Sequence, residues 1–190
     1  LLKKEIRILG LSAAPERNEK TPVVGVIFRG NLWLDGAFAC ILKKSHRNCA
    51  SALAKTIMQT KQYSQLHAVI MSSEYSTRQE VDIVALANKI KLPVITVVRD
   101  GGEKPGRTRN STGSKRASKL RPYTFKIENN AVHIQAAGIN REMAHEILRV
   151  SCPRGSHVPE AVRVAKVLAK HASLVQDARN QNGACHSAGR

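Results

Sequence analysis

Residues 3–11 (KKEIRILGL), 22–30 (PVVGVIFRG) and 32–42 (LWLDGAFACIL) decide the fold. Each is rich in β-branched and apolar residues, and Pro or Gly separates one from the next, as in consecutive strands joined by tight connections. Strands this close in the chain predict an antiparallel meander. The period then changes. From about Ser45 to Thr60 the residues Ala50, Leu53, Ala54 and Ile57 recur at helical spacing. Leu66 to Met71 is a short apolar run, Arg78 to Ile90 is helical in Val81, Val84, Ala85 and Ala87, and Leu92 to Val98 is again β-branched. Such an order predicts a strand, helix, strand unit with its strands parallel.

Farther on, Tyr123 to Ile127 and Val132 to Ala136 read as a hairpin around Glu128-Asn129-Asn130. The next helix takes Asn140 as its N-cap and Ile139 as a staple, and is expected to bury Met143, Ala144, Ile147 and Leu148. A last helix begins near Pro159, a residue suited to a first turn, with Val158, Val162, Ala165 and Ala169 on one side and Arg163, Lys166 and Lys170 on another. Three strands, alternating helices and strands, then two terminal helices are the element order of a ribonuclease H-like α/β fold, a mixed central sheet between helical layers. One domain is expected over residues 1–172, with a flexible basic loop at 100–121 and a polar tail at 173–190.

The 190 residues, 42% of them hydrophobic, suffice for a core. Against 31 Lys and Arg stand only 14 Asp and Glu, for a net charge of +17. That excess costs self-repulsion in the compact state and points to a polyanionic partner. A solvated thermophile-like surface would add Glu along with Lys. A membrane surface calls for a basic amphipathic helix with large apolar side chains, and one Trp, three Phe and three Tyr supply little for it. Nucleic acid fits best, because each Lys or Arg on a phosphate releases counterions. No apolar run approaches the ~20 residues that cross a bilayer. The start, Leu1-Leu2-Lys3-Lys4-Glu5, breaks into charge before a signal-peptide core forms, so a cytoplasmic location is expected. Cys40, Cys49, Cys152 and Cys185 form no C-x-x-C pair, and His46 with Cys49 is an isolated H-x-x-C; thiols are expected, with no metal site. Gly101-Gly102 and Gly106 make no phosphate-binding glycine pattern, so neither a cofactor nor a small-molecule substrate is expected.

Residues 100–121 (DGGEKPGRTRNSTGSKRASKLR) lose all apolar periodicity and hold seven basic side chains against two acids. Segments of this kind fold as they enter RNA grooves, with Arg forks and Lys point charges on phosphates. Arg99, Lys104, Arg107, Arg109, Lys115, Arg116, Lys119 and Arg121 are therefore candidate nucleic-acid contacts, joined by Arg163, Lys166 and Lys170 of the last helix. His67 and His133 flank apolar strands and are expected at an edge or satisfied in the core. Trp33 is expected to pack under the sheet.

The strings KKEIRILG (3–10), VVGVIFRG (23–30), WLDG (33–36), VDI (81–83), LPVITVVR (92–99), IQAAGI (134–139) and VPEAVRVAK (158–166) carry a resemblance. The chain resembles the archaeal deoxyuridine endonuclease (endonuclease dU) family, distant relatives of endonuclease V. The resemblance implies a ribonuclease H-like fold and, in active members, metal-assisted cleavage of a phosphodiester beside a damaged or deaminated base. It also implies an acidic pair directly after the first strand, where this chain reads Leu11-Ser12-Ala13, and an aspartate in an L-D-G string after the fourth, where it reads Met71-Ser72-Ser73. The family's late A-H pair stands here as Ala165-Lys166.

Ser12, Ala13, Asp35 and Ser72 are thus expected to form a degenerate former active site. A hard divalent ion needs converging charged oxygens to activate water and steady the leaving oxygen, and serine hydroxyls do not supply that charge. Glu74 stands two residues past the vacant position, about 6–7 Å along an extended strand, too far without rebuilding the loop. The expected function is a catalytically inactive nuclease homologue that binds structured RNA, with ribosomal RNA and neighbouring ribosomal proteins as partners. The alternative is a metal-dependent endonuclease on deoxyuridine- or inosine-containing nucleic acid, using Asp35, Glu74 or Asp82 around a displaced metal. A DNA-coating repair accessory has the same charge and a different polymer.

Overall fold

The computed structural model describes residues 5–16, 18–43, 49–72, 81–98, 120–127 and 130–171. Among these residues seven strands form one mixed sheet: β1 (Arg7–Ala13), β2 (Lys20–Arg29), β3 (Trp33–Lys43), β4 (Leu66–Ser72), β5 (Val94–Val98), β6 (Tyr123–Ile127) and β7 (Asn130–Ala137). Their spatial order is β3-β2-β1-β4-β5-β7-β6. The expected meander is present, with β1 antiparallel to β2 and β2 to β3. So are the parallel pairing of β4 with β5 and the β6–β7 hairpin. β1, β4 and β5 run parallel at the centre, where both faces are covered and the strands read as unbroken apolar runs.

Helices α1 (Cys49–Met58) and α2 (Ile83–Ile90) cover one face, and α3 (Arg141–Ser151) with α4 (residues 160–171) the other. Under α1 and α2, Leu53, Ile57, Leu86 and Ile90 pack on Leu9, Leu11, Val69 and Met71. On the opposite face, Ala144, Ile147 and Leu148 of α3 meet Ile8, Ile70, Ile95 and Ile134, while Ala161, Ala165 and Ala169 of α4 pack on Val24, Val26 and Phe28. The alanine stripe lets α4 come very close to the sheet. A Cβ built on Gly10 would lie 2.2 Å from the carbonyl carbon of Ala161, so only glycine fits there.

Caps set the helix starts and hence the buried stripes. Asp82 accepts from the amides of Val84 and Ala85, at 2.9 and 3.0 Å. The stripe then runs Ile83, Leu86, Ala87, Ile90, and Val84, expected inside, is 38% exposed. Asn140 accepts from the Met143 amide at 2.9 Å, as its sequence position predicts. Ala144, Ile147, Leu148 and Ser151 face inward, which turns Met143 about 100° away from the stripe and leaves it 42% exposed. In α4 the inner stripe begins at Ala161 rather than Val158, which precedes the helix.

Trp33, expected to pack under the sheet, is 66% exposed. It stands at the β2–β3 corner opposite Arg29, on an edge strand. Among the described residues, no helix is long and apolar enough to cross a membrane.

Candidate nucleic-acid site at the carboxyl ends of β1 and β4

The chain leaves β1 toward β2 on one side and leaves β4 toward β5 on the other. In open sheets the crevice beyond the carboxyl ends of two such strands is where ligands bind. Register puts Ser12 and Ser72 there, each directly after the partnered pair Leu11 and Met71. Leu11 and Met71 belong to the cluster under α1 and α2, so strand alternation turns Ser12 and Ser72 to the other face, the side of α4. Ser12 is 4% exposed and Ser72 is half-buried. Ala13 packs toward the α1 and α2 cluster, so the structure separates it from the two serines.

These side chains do not fit a catalytic divalent ion. Two neutral hydroxyls and a methyl group facing away supply none of the charge a hard cation needs. Among the described residues, no group of three or more His, Cys, Asp or Glu could hold a metal ion. Glu74 lies outside those residues.

Asp35 is not at this site. The β2 hairpin returns the chain to the start of β1, and Asp35 accepts from Arg7 Nε at 2.5 Å and from Arg29 Nη2 at 2.9 Å. Five residues separate Arg7 from Ser12 along the strand, roughly 17 Å. Asp35 thus ties β3 to β1 across β2 at the opposite end of the sheet. The Arg7 hydrogen bond above all, opposed by burial and aided by Arg29, holds its carboxyl below the ordinary value. A depressed carboxylate stabilises fully above the unfolded pKa and loses that contribution as pH falls through the folded one, here below about pH 4. Asp35→Asn is expected to cost about 1–2 kcal/mol at pH 7, and less as pH falls below 4, in urea titrations across pH.

The candidate cations are placed unequally. Arg163 is exposed, but its fork grips Glu160 of its own helix, with Nε to Oε2 at 2.8 Å and Nη2 to Oε1 at 2.5 Å. That pairing competes with the phosphate contact expected of it. Lys166 and Lys170 are exposed on α4, and Arg121 is exposed two residues before β6. Arg99, Lys104, Arg107, Arg109, Lys115, Arg116 and Lys119 lie outside the described residues, as do the tail and most of the basic loop. His67 is exposed with Nδ1 3.0 Å from the Gln65 carbonyl, and His133 is half-buried against Thr124 at 2.7 Å.

Sequence reasoning missed an aromatic cluster on the same face. The register runs Ser72 to Val97, Val97 to Ile134 and Ile134 to Tyr123, so Tyr123 is about 14 Å across the sheet from Ser72. The Tyr123 and Phe125 rings meet edge to face at 5.1 Å, Phe125 lies 4.8 Å from His145, and the Arg141 guanidinium stands 4.8 Å over the Tyr123 ring. Phe125, Arg141 and His145 help line a shallow pocket of about 410 Å³. Burial raises the Tyr123 phenol pKa, with Arg141 pulling the other way, and its buried hydroxyl has no partner among the described residues. The signal was available: aromatics two apart on a strand, and Arg and His four apart on a helix, each share a face.

Comparison with known proteins agrees with this architecture. A sequence model described as Endonuclease dU matches residues 4–173. A UPF0215 protein of Methanosarcina barkeri is 34% identical over 179 residues, covering 88% of this chain and 91% of the relative. A crystal structure of a protein of unknown function from Archaeoglobus fulgidus superposes with a TM-score of 0.70 at 21% identity, over 87% of this chain and 97% of the other. Endonuclease V of Ciona intestinalis, solved with a 24mer DNA containing an inosine followed by a ribo-adenosine, superposes with a TM-score of 0.61 at 10% identity, over 90% and 86% of the two chains. The fold is ribonuclease H-like, as the element order implied. With the family model spanning nearly the whole described chain, this protein belongs to the endonuclease dU family.

Proposed function

We propose that this chain binds deaminated nucleic acid across the carboxyl ends of β1 and β4 and holds it without cutting it. The observation that carries the reading is the pair Ser12 and Ser72, side by side where the family resemblance implies aspartates. Replacing two carboxylates by hydroxyls removes the seat of a divalent ion and also removes repulsion toward a phosphate backbone. Lys166 and Lys170 on α4, with a net charge of +17, supply the electrostatic attraction. The family name and the inosine DNA on the Ciona endonuclease V favour a deaminated base as the feature recognised. Ribosomal RNA has only the charge behind it.

Fluorescence anisotropy with a single-stranded oligonucleotide containing one deoxyuridine tests this. Binding is expected to be unchanged by EDTA, to weaken steeply with salt, and to exceed binding of the thymidine control about tenfold. Equal affinity for both strands, or tighter binding to ribosomal RNA at the same salt, would remove the base-lesion part of the reading.

A second reading, a metal-dependent endonuclease on the same substrates, is favoured by the family match over residues 4–173. It requires carboxylates from beyond the described residues, and it differs from the first in one outcome, cleavage.

A further inference from the structure

Two strands end the sheet, and they are built differently. β6 is five residues long, carries Lys126 and follows Pro122, features that keep an edge from pairing with other chains. β3 is eleven residues long, and its stretch 36–42, GAFACIL, contains no charge and no proline. Ala37, Ala39 and Ile41 alternate outward along it and are exposed, and Leu32, Trp33 and Leu34 at its start are 65, 66 and 60% exposed. A long, apolar edge that no strand among the described residues covers is an interface or an aggregation site.

We infer that β3 pairs antiparallel with β3 of a second copy, about a two-fold axis at Ala39. The sequence is sterically self-complementary in that register. On the exposed face Ala37 falls opposite Ile41 of the second copy and Ala39 opposite itself, so the large exposed side chain of each strand meets a methyl group; on the other face Phe38 falls opposite Cys40, while Leu42 stays in its own core. The paired stretch is neutral, so two strongly basic chains meet there without opposing like charges. A specific interface needs on the order of 1,000 Å² in total, and the seven paired residues supply its continuous centre. Residues 100–119 contain no large apolar side chain, and 173–190 contain only Leu174 and Val175.

A two-fold axis perpendicular to the sheet keeps the same face upward in both copies. The two Ser12–Ser72 sites then lie on one side of a continuous sheet, separated by five strand spacings between the β1 strands, roughly 24 Å.

Light scattering on the eluting protein in moderate salt reads the mass. The expected result is twice the 20.8 kDa of the chain, falling to the single mass in Ala39→Lys, whose exposed position leaves the fold intact. In Ala39→Cys, mild oxidation is expected to link two copies, because directly opposed Cα atoms stand about 4.5–5.5 Å apart, within disulfide range. Ala37→Cys, four residues out of register with its own mate, is expected not to link. A wild-type monomer at every concentration, a dimer that survives Ala39→Lys, or linkage at 37 in preference to 39 would overturn the inference.

Discussion

Gly10→Ala will lower the stability of the whole domain by about 3 kcal/mol, a large part of the ~5–15 kcal/mol that holds a typical domain together. The added methyl carbon would lie 2.2 Å from Ala161 C, 2.5 Å from Ala161 O and 2.5 Å from Val162 N. All three are backbone atoms, so no side chain can swing aside. Relief comes only by lifting α4, which opens the contact of Ala161, Ala165 and Ala169 with Val24, Val26 and Phe28. Gly25→Ala is the informative control. Its methyl would press on the Phe38 ring at 2.3 Å, but that ring is a half-buried side chain on the edge strand β3 and can rotate outward. A cost nearer 1 kcal/mol is expected. Thermal melts should separate the two by at least roughly 4 °C. Equal melting temperatures would mean that α4 does not rest on β1.

The second large effect is a gain. In the double variant Ser12→Asp, Ser72→Asp, two carboxylates would stand on neighbouring parallel strands, on the same face, about 4.8 Å apart. Without metal they repel, and Ser12 is nearly inaccessible to water, so the variant should unfold several degrees below the wild type. Manganese should then reverse the loss. An ion bound only by the folded state stabilises by about 2.7 kcal/mol at a hundredfold excess over its dissociation constant. The wild-type melting temperature is expected not to respond to manganese. A wild type that responds as strongly as the variant would show that other oxygens already hold the ion.

How legible all this was depends on the range of the physics involved. The β-branched, apolar run of 22–30 and the helical spacing of Ala50, Leu53, Ala54 and Ile57 are local, and the structure reproduces both as a strand and a helix. Ala165 and Ala169 of α4 were visible as well, but not Ala161 or the Gly10 beneath it, because that contact joins residues about 150 apart in the chain. Ser12 and Ser72 are brought together by the parallel register of β1 with β4; their spacing carries no local signal, and only the family resemblance joined them in the sequence. Asp35 went astray for a related reason. Its W-L-D-G string looks like part of one motif, but the hairpin reverses the chain and delivers the carboxylate to Arg7 and Arg29 at the far end. Trp33 was misplaced because hydrophobicity predicts burial for any strand, while exposure followed from β3 being an edge.

Single-turnover incubation of excess protein with a deoxyuridine-containing oligonucleotide in manganese, read on a denaturing gel, is the most direct test. The expected result is an intact strand that anisotropy shows to be fully bound. Nicks beside the deoxyuridine that vanish with EDTA, in the wild-type chain, would contradict the proposal that Ser12 and Ser72 have emptied the site of its metal chemistry.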